Sequence, residues 1–558
     1  MDYNKLKKKI KDINFILKII RVLKNPIQSL KIYLDFYQIN KKISFEVDKV
    51  APNGKKVLII SLSNWIYQSK LQSMLILPFL KQGWDITVLT ETYHHDSIKV
   101  FKTFGIKKFI YVNKYNPDIS KKDINEIASN FLKDKISINI IKEWYFENVW
   151  IGPTIIASLS KKLFSGKIDF NDPEVISTIK LFLNEILYKI KLSKLIFKKK
   201  SFDIYLASFD VNYIEYAPYV DVIINQGKNV IQFHQPWNEK TLTFLKLNKK
   251  TRRFHPSIIT KEEFLKNHEI EFSENHQIIL NNIFQDRYND KYILQSRNSH
   301  KIVKMSKDEI LDKINFKNKK KVAVIYSHIL WDTNLFFGED LYDDYGQWLI
   351  ETLKLANKNK EINWILKVHP ANIWKYKRNN VDGKYAEIQV IEKFVGNLGE
   401  HVKILYPTTN IRTSDLFNIS NYAITVRGTA GMEAPTKGIT TILAGTGRYS
   451  DLGFTVDPKS IVEYESILMN LQKLGGLEKN KVDLAKKHAL LSFDNRLWKM
   501  QSFKSIFSKN PGKVDPLDHN LLPKRKINIM EDNLDDLDKW YKWAIDNEKI
   551  IYLDPPNL

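Results

Sequence analysis

From Lys55 onward, short apolar runs alternate with stretches whose apolar positions recur at helical spacing. KVLIISLS leads into a helical LQSMLILPFLKQG, then come WDITVLT, a further helix and FIYVN at 109–113. Strands alternating with helices predict a parallel sheet with right-handed crossovers, a Rossmann-like unit. Residues 120–200 read as mostly helical, and FDIYLASFD (202–210) and NVIQFHQ (229–235) resume as buried strands. A second series opens at KKKVAVIYSH (319–328), passes a helix around QWLIETLKLANKN, and continues through INWILKVHP (362–370), VKILYP (402–407), YAITVRG (422–428) and TTILAG (440–445). The pattern therefore predicts an α/β chain with two Rossmann-like domains, 51–245 and 319–458. Residues 246–318, charged and less periodic, read as a connection. Residues 459–558 read as closing helices ending in the acidic EDNLDDLDKWYKWAIDNEK.

Before the first series, residues 1–50 predict a helical extension. Ile10, Ile13, Phe15, Ile16, Ile19, Ile20 and Leu23 fall at helical spacing between lysines, the pattern of a basic amphipathic helix. Two readings fit residues 5–45: a helix packed on the domain behind it, or an interfacial helix drawn to anionic lipid.

Composition narrows the class. A chain of 558 residues exceeds one ordinary core, and 43% hydrophobic with 12% aromatic residues is the composition of a folded protein. The absence of cysteine removes disulfides, cysteine-ligated metals and thiol nucleophiles. Lysines interrupt the N-terminus where a signal peptide needs an apolar stretch, and no run of about 18 uncharged apolar residues occurs, so a cytoplasmic protein is expected, with peripheral association at the inner face of the membrane open. The net charge of +24 is spread along the chain, without a nucleic-acid-binding signature, and no nucleic-acid partner is expected.

In open parallel sheets, ligands bind beyond the carboxyl ends of the strands, so the chemistry is sought in those loops. ITVRGTAGMEAPTKGITTILAG (424–445) places Arg427, Gly428, Thr429, Ala430 and Gly431 at one such end, followed by a short helix carrying Glu433. Small residues let a ligand approach the backbone, and the N–H groups of a helix start favour phosphate. Thr429 adds a hydroxyl and Arg427 a charge. The same glycines also suit tight strand-to-helix turns and nothing more.

KVHP (367–370) ends a strand of the same series, and with Lys367 beside it the His369 imidazole can donate to a phosphate or act as acid or base, Pro370 fixing the loop. The loop after 320–326, SHILWDTNLFFGEDLYDDYGQW, offers Ser327, His328, Asp332, Asn334, Glu339 and Asp340. Its carboxylates could mark a metal site or cap the next helix, capping being the simpler reading for Asp343 and Asp344. Asp332 and Glu339, flanked by Trp331, Phe336 and Phe337, read as catalytic candidates on a cleft-facing loop, where the aromatics can raise their pKa or form a sugar platform. In the first domain, SFD (208–210) and QFHQPW (232–237) each end an apolar strand. Asp210 is a candidate nucleophile or base and His234 a candidate base or orienting group. A strand-end Asp bonded to nearby backbone N–H groups is the structural alternative.

KVHP, RGTAGMEAPTKG (427–438) and SHILWDTNLFFGEDLY (327–342) resemble bacterial capsule and surface-polysaccharide biosynthesis proteins, a group that includes the retaining β-Kdo transferases and other CMP-sugar-using glycosyltransferases. The resemblance covers chiefly 320–458. It implies a GT-B fold, a donor held by the C-terminal domain and no metal. It also implies that His369 contacts the nucleotide phosphate, that Gly428, Thr429 and Ala430 share it, and that Glu433 suits a ribose or sugar hydroxyl. The group's catalytic carboxylates lie in the N-terminal domain, where Asp210 is the candidate by position. Polyol-phosphate polymerases of teichoic-acid type are a second similar group, with a further essential His that His234 could match, although Gln235 and Pro236 follow where those enzymes place Gly. The expected function is a glycosyltransferase that moves a sugar, a Kdo-like acid from a CMP donor being favoured, onto a lipid-linked or oligosaccharide acceptor. The alternatives are a CDP-polyol phosphotransferase and a non-catalytic scaffold. Beyond the nucleotide-sugar donor, no cofactor is expected.

Overall fold

The computed structural model describes residues 26–44, 50–269, 271–296, 303–316, 318–333, 335–508 and 517–554. The pattern from Ile10 to Leu23, and Asn334, lie outside the described residues.

Two parallel-centred sheets organise the chain. The first contains β1 (Lys56–Ile60), β2 (Asp85–Thr90), β3 (Lys108–Tyr111), β4 (Ile204–Leu206), β5 (Val230–His234) and β6 (Thr241–Leu247). The second contains β7 (Val322–Tyr326), β8 (Asn363–Lys367), β9 (Val402–Leu405), β10 (Tyr422–Thr425) and β11 (Thr440–Leu443); β12 (Trp498–Lys499) returns to the first sheet. The spatial orders are β12-β6-β5-β4-β1-β2-β3 and β9-β8-β7-β10-β11. In both, the first strand is central, the next two extend one way, and the chain then crosses to the other side. That is the Rossmann order, and it puts a switch point between β1 and β4 and another between β7 and β10.

All pairings in the second sheet are parallel, whereas β6 runs antiparallel to β5 and β12 antiparallel to β6. Every residue of β7, β8, β10 and β11 is buried, which is why these strands read as continuous apolar runs rather than alternating ones. Two Rossmann-like domains face each other across a cleft, which is the GT-B arrangement.

The described residues of 459–558 contain helices Ile461–Met469, Lys479–Leu490 and Asp535–Ile545, and also short strands at 498–499, 503–507, 519–523 and 527–528. Past Leu491 the chain joins the first domain. Trp540 is fully buried among Phe244, Trp498 and Trp543, and its Nε1 donates to Leu75 O at 2.7 Å. Strands 503–507 and 519–523 are too short, and too far apart in sequence, for their alternation to stand out from the surrounding polar residues.

Helix Pro26–Lys42 packs on the first domain through Ile32, Phe36 and Ile39. It is tied there by Asp35, which accepts from the buried Lys70 at 2.5 Å and from Asn520 at 2.8 Å. Its other face leaves Ile27, Leu30, Tyr33, Leu34 and Tyr37 exposed. Among the described residues no helix is long and apolar enough to cross a membrane.

Candidate active site

A cavity of about 500 Å³ lies between the domains at the carboxyl end of the second sheet. Ser327 and His328 enter it from the end of β7, Lys367 and His369 from β8, and Arg427 to Ala430 from β10, so it sits over the β7/β10 switch point. From the first domain come His234 and Trp237 after β5, and His255 and Ser257 after β6. Asp332 and Glu433 also line it. The structure thus brings together most of the residues singled out from sequence.

Four of the described candidates, Asp210, Glu339, Asp340 and Gly431, are not in the lining. Asp210 is exposed at the β4 end. Glu339 is exposed and ion-paired with Arg253 at 2.6 Å. Gly431 serves packing: a Cβ there would stand 2.2 Å from the Tyr449 hydroxyl, which itself donates to Gly428 O. Asp344 caps helix Tyr345–Lys358 by accepting from Gln347 N at 2.6 Å. Among the described residues no group of three or more His, Asp or Glu side chains could hold a metal ion.

The β8 end is built around His369. Its Nδ1 accepts from Ala371 N–H at 3.2 Å, so in the neutral ring the proton sits on Nε2, an assignment made from this partner. Burial, with Lys375 and Lys367 nearby, takes the imidazole down to about 4, and it is neutral at physiological pH. Ser327 does not face a ligand as a free hydroxyl. It accepts from His369 N–H at 3.0 Å and donates to Glu387 at 3.3 Å, which fixes the His369 loop onto a buried carboxyl. Burial raises that Glu387 carboxyl to about 7.

Lys367 has no ion-pair partner among the described residues; its Nζ donates to Ile411 O at 3.3 Å. Burial lowers it to about 7. A bound anion stabilises the ammonium, so anion affinity is highest below pH 7 and falls as the pH rises through it, by up to about tenfold per unit. Titration calorimetry with a nucleotide diphosphate sugar, whose own charge is constant over this range, is expected to show affinity at pH 8.5 at least about fivefold below that at pH 6. Lys367→Met should flatten this dependence, whereas Glu387→Gln, which removes the other group titrating nearby, should keep most of it. A dependence unchanged in Lys367→Met would refute the assignment.

Arg427 departs from its expected role. Its guanidinium forms a buried ion pair with Asp340 at 2.5 Å and also donates to Glu339 O at 3.2 Å, so its charge is spent holding the β7 loop against β10. The cation beside Thr429 is instead Arg448, whose Nη2 donates to the Thr429 hydroxyl at 2.7 Å. The N–H groups of Thr429 and Ala430 have no carbonyl partner among the described residues. Both oxygens of Glu433 are engaged, by Arg287 at 2.5 Å and by the Tyr288 hydroxyl at 2.7 Å, which moors helix Glu274–Tyr288 to this loop. Residues 246–318, expected only to connect the domains, therefore help to build the site.

The histidines differ in what their partners leave them able to do. Arg427 N–H donates to His328 Nε2 at 3.1 Å, and the ring stacks on Tyr345 at 4.6 Å, leaving the proton on Nδ1. Ser257 N–H donates to His255 Nδ1 at 3.1 Å, leaving the proton on Nε2. His328, His255 and His369 are thus fixed as donors. The His234 ring has no such bond among the described residues and can present a lone pair. Burial, then the charges of Arg448 and Arg496, take His234 down to about 4. Asp332 faces the same space: burial pushes it up, but Lys375 and the Tyr213 hydroxyl, which donates at 3.0 Å, hold it below the ordinary carboxylate value. It stays ionised and spans the cleft between the domains.

No protein-family model matches the chain, and no curated protein matches it. Among solved structures it is similar to the KpsC β-Kdo 2,4 transferase of Thermosulfurimonas dismutans, at 12% identity over 50% of this chain and 78% of that one, with a TM-score of 0.30. It is also similar to the UDP-GlcNAc 2-epimerase of Neisseria meningitidis bound to UDP-GlcNAc, at 14% identity over 77% of this chain and 97% of that one, with a TM-score of 0.24. For MnaA of S. aureus with UDP the figures are 10%, 75%, 87% and 0.27.

Proposed function

We propose that the chain is a glycosyltransferase of bacterial capsule or surface-polysaccharide biosynthesis, which moves a sugar from a nucleotide donor held by the second domain to an acceptor entering from the first. One observation carries this reading. One cavity at the switch point of the second sheet gathers the His369 Nε2–H, Lys367 and the N–H groups of Thr429 and Ala430, which among the described residues have no carboxylate or carbonyl partner respectively and suit a phosphate, opposite His234, whose ring has no hydrogen bond among the described residues and suits an acceptor hydroxyl.

In this mechanism the donors on the β8 and β10 loops meet the charge that develops on the leaving phosphate, and His234 takes the acceptor proton. Asp332, held ionised, stabilises the imidazolium that results. The motif resemblance favours a CMP-linked, Kdo-like donor. The exposed apolar face of helix Pro26–Lys42, flanked by Lys31, Lys41 and Lys42, supports a peripheral position on an anionic membrane, where a lipid-linked acceptor would be found.

A CDP-polyol phosphotransferase would use the same phosphate groups, and the presence of histidines in both halves of the cleft keeps it as the second reading. Supplying CMP-Kdo, UDP-sugars and CDP-glycerol one at a time, with bacterial membranes as the acceptor source, and measuring which donor is consumed separates the two. His369→Ala is expected to lower consumption of the true donor by at least about a hundredfold without unfolding the protein. Undiminished consumption by that variant would remove the donor-site assignment. Consumption of no donor, with no thermal stabilisation by any nucleotide, would favour a scaffold.

A further inference from the structure

The cavity holds donors that the mechanism above does not use, two from the first domain and one from the turn after β11. Trp237 Nε1, Ser257 Oγ and Arg448 Nε are buried without a hydrogen-bond partner among the described residues, and all three residues line the cavity with His255. Trp237 is 8% exposed and Ser257 7%. Buried donors are almost always satisfied, so several unsatisfied ones lining one cavity mark a place where a ligand supplies the acceptors.

The charges point the same way. Of the cations lining the cavity, Arg287, Arg412 and Arg427 are each paired, with Glu433, Asp415 and Asp340. Lys367 and Arg448 have no carboxylate partner among the described residues. Lys367 acts on His369 at one end of the space, whereas Arg448 acts on His234 and His255 at the other and on His328 as well. Each end also carries a His-Pro turn of the same construction. In His369-Pro370-Ala371 and in His255-Pro256-Ser257, the ring Nδ1 accepts from the N–H two residues on, which leaves Nε2–H for the ligand.

We propose that His255, Ser257, Trp237 and Arg448 form a second oxyanion subsite, separate from the His369 end, which binds a phosphate or carboxylate group of a substrate. The group comes either from the acceptor or from a second charged group of the donor. The inference builds on the nucleotide-donor reading only in saying what molecule the anion belongs to.

Titration calorimetry on the full chain distinguishes the cases, using inorganic phosphate, CMP and CDP. Phosphate is expected to bind CMP-saturated protein at one site. His255→Ala should weaken it at least about tenfold while CMP affinity stays within about twofold, and His369→Ala should do the reverse. Trp237→Phe keeps the packed ring and removes only the N–H, so a loss of about fivefold in that variant excludes general unfolding as the cause. If the anion is an acceptor group, CDP leaves the phosphate site open. If it is the donor's second phosphate, CDP outbinds CMP by about tenfold, blocks phosphate, and loses the advantage in His255→Ala. The proposal is overturned if phosphate affinity is the same in the wild type and His255→Ala. It is equally overturned if phosphate does not bind CMP-saturated protein and CDP binds no tighter than CMP. His255-dependent phosphate binding without any CMP binding would keep the subsite and remove the nucleotide reading.

Discussion

His234→Ala is expected to lower kcat by roughly 10²–10⁴-fold, the usual contribution of a general base, with donor affinity nearly unchanged. The expectation follows from the bonding of the four cleft imidazoles. His255, His328 and His369 each accept a backbone N–H, which commits the other nitrogen to donation. His234 alone is uncommitted among the described residues; with its ring down at about 4 it is neutral at pH 7 and presents a lone pair, and the nearby Asp332 charge offsets its low basicity in part. His234 should therefore add no pH dependence to kcat between pH 6 and 8, because the imidazole gains its proton only well below that window. Steady-state kinetics would show the loss in kcat rather than in the donor KM. An equal effect on donor binding, with kcat intact, would move His234 from the chemistry to ground-state binding.

The second large effect is expected outside the cavity lining, at Arg496. This guanidinium is fully buried, no carboxylate pairs with it among the described residues, and burial takes it down to about 9. It donates to four carbonyls: Ile258 O and Tyr552 O at 2.9 Å, Phe244 O at 2.7 Å and Pro256 O at 2.9 Å. These bonds join β6, the C-terminal segment and the turn that carries His255. Arg496→Met fills similar volume but leaves those carbonyls unpaired. At about 1–3 kcal/mol for each buried group left unsatisfied, a loss of ~4 kcal/mol or more is expected, read as a fall in the urea midpoint. A variant as stable as the wild type would mean that the carbonyls find other partners and that Arg496 does not set the His255 turn.

Much of the second domain could be read from the chain because its strands are buried on both faces and appear as apolar runs, each ending in a polar loop. His369 and the residues 427–430 were placed on one sheet edge by that logic, and the structure puts them in one cavity. Other features depend on contacts between distant residues. Arg427 looked like a free cation, but Asp340, 87 residues earlier, neutralises it. Ser327 looked like a ligand contact, yet it is used up between His369 and Glu387, 60 residues on.

His255 and Arg448 were missed for a different reason. His255 follows an antiparallel strand inside a stretch without clear period, although its His-Pro dipeptide repeats the signal at His369. Arg448 lies in GTGRYS directly after TTILAG, a Gly-rich turn at a strand end like the one at 427–431. The signal for both is a cation or a His-Pro pair shortly after a strand, the same as at His369.

The most direct test is a crystal structure of the protein with its nucleotide bound. The phosphate should lie at the end of β8 and β10, accepting from His369 Nε2 and from the N–H groups of Thr429 and Ala430, with Lys367 close by and His234 facing the open side. A nucleotide bound elsewhere, or one whose phosphate sits away from His369, would contradict the account.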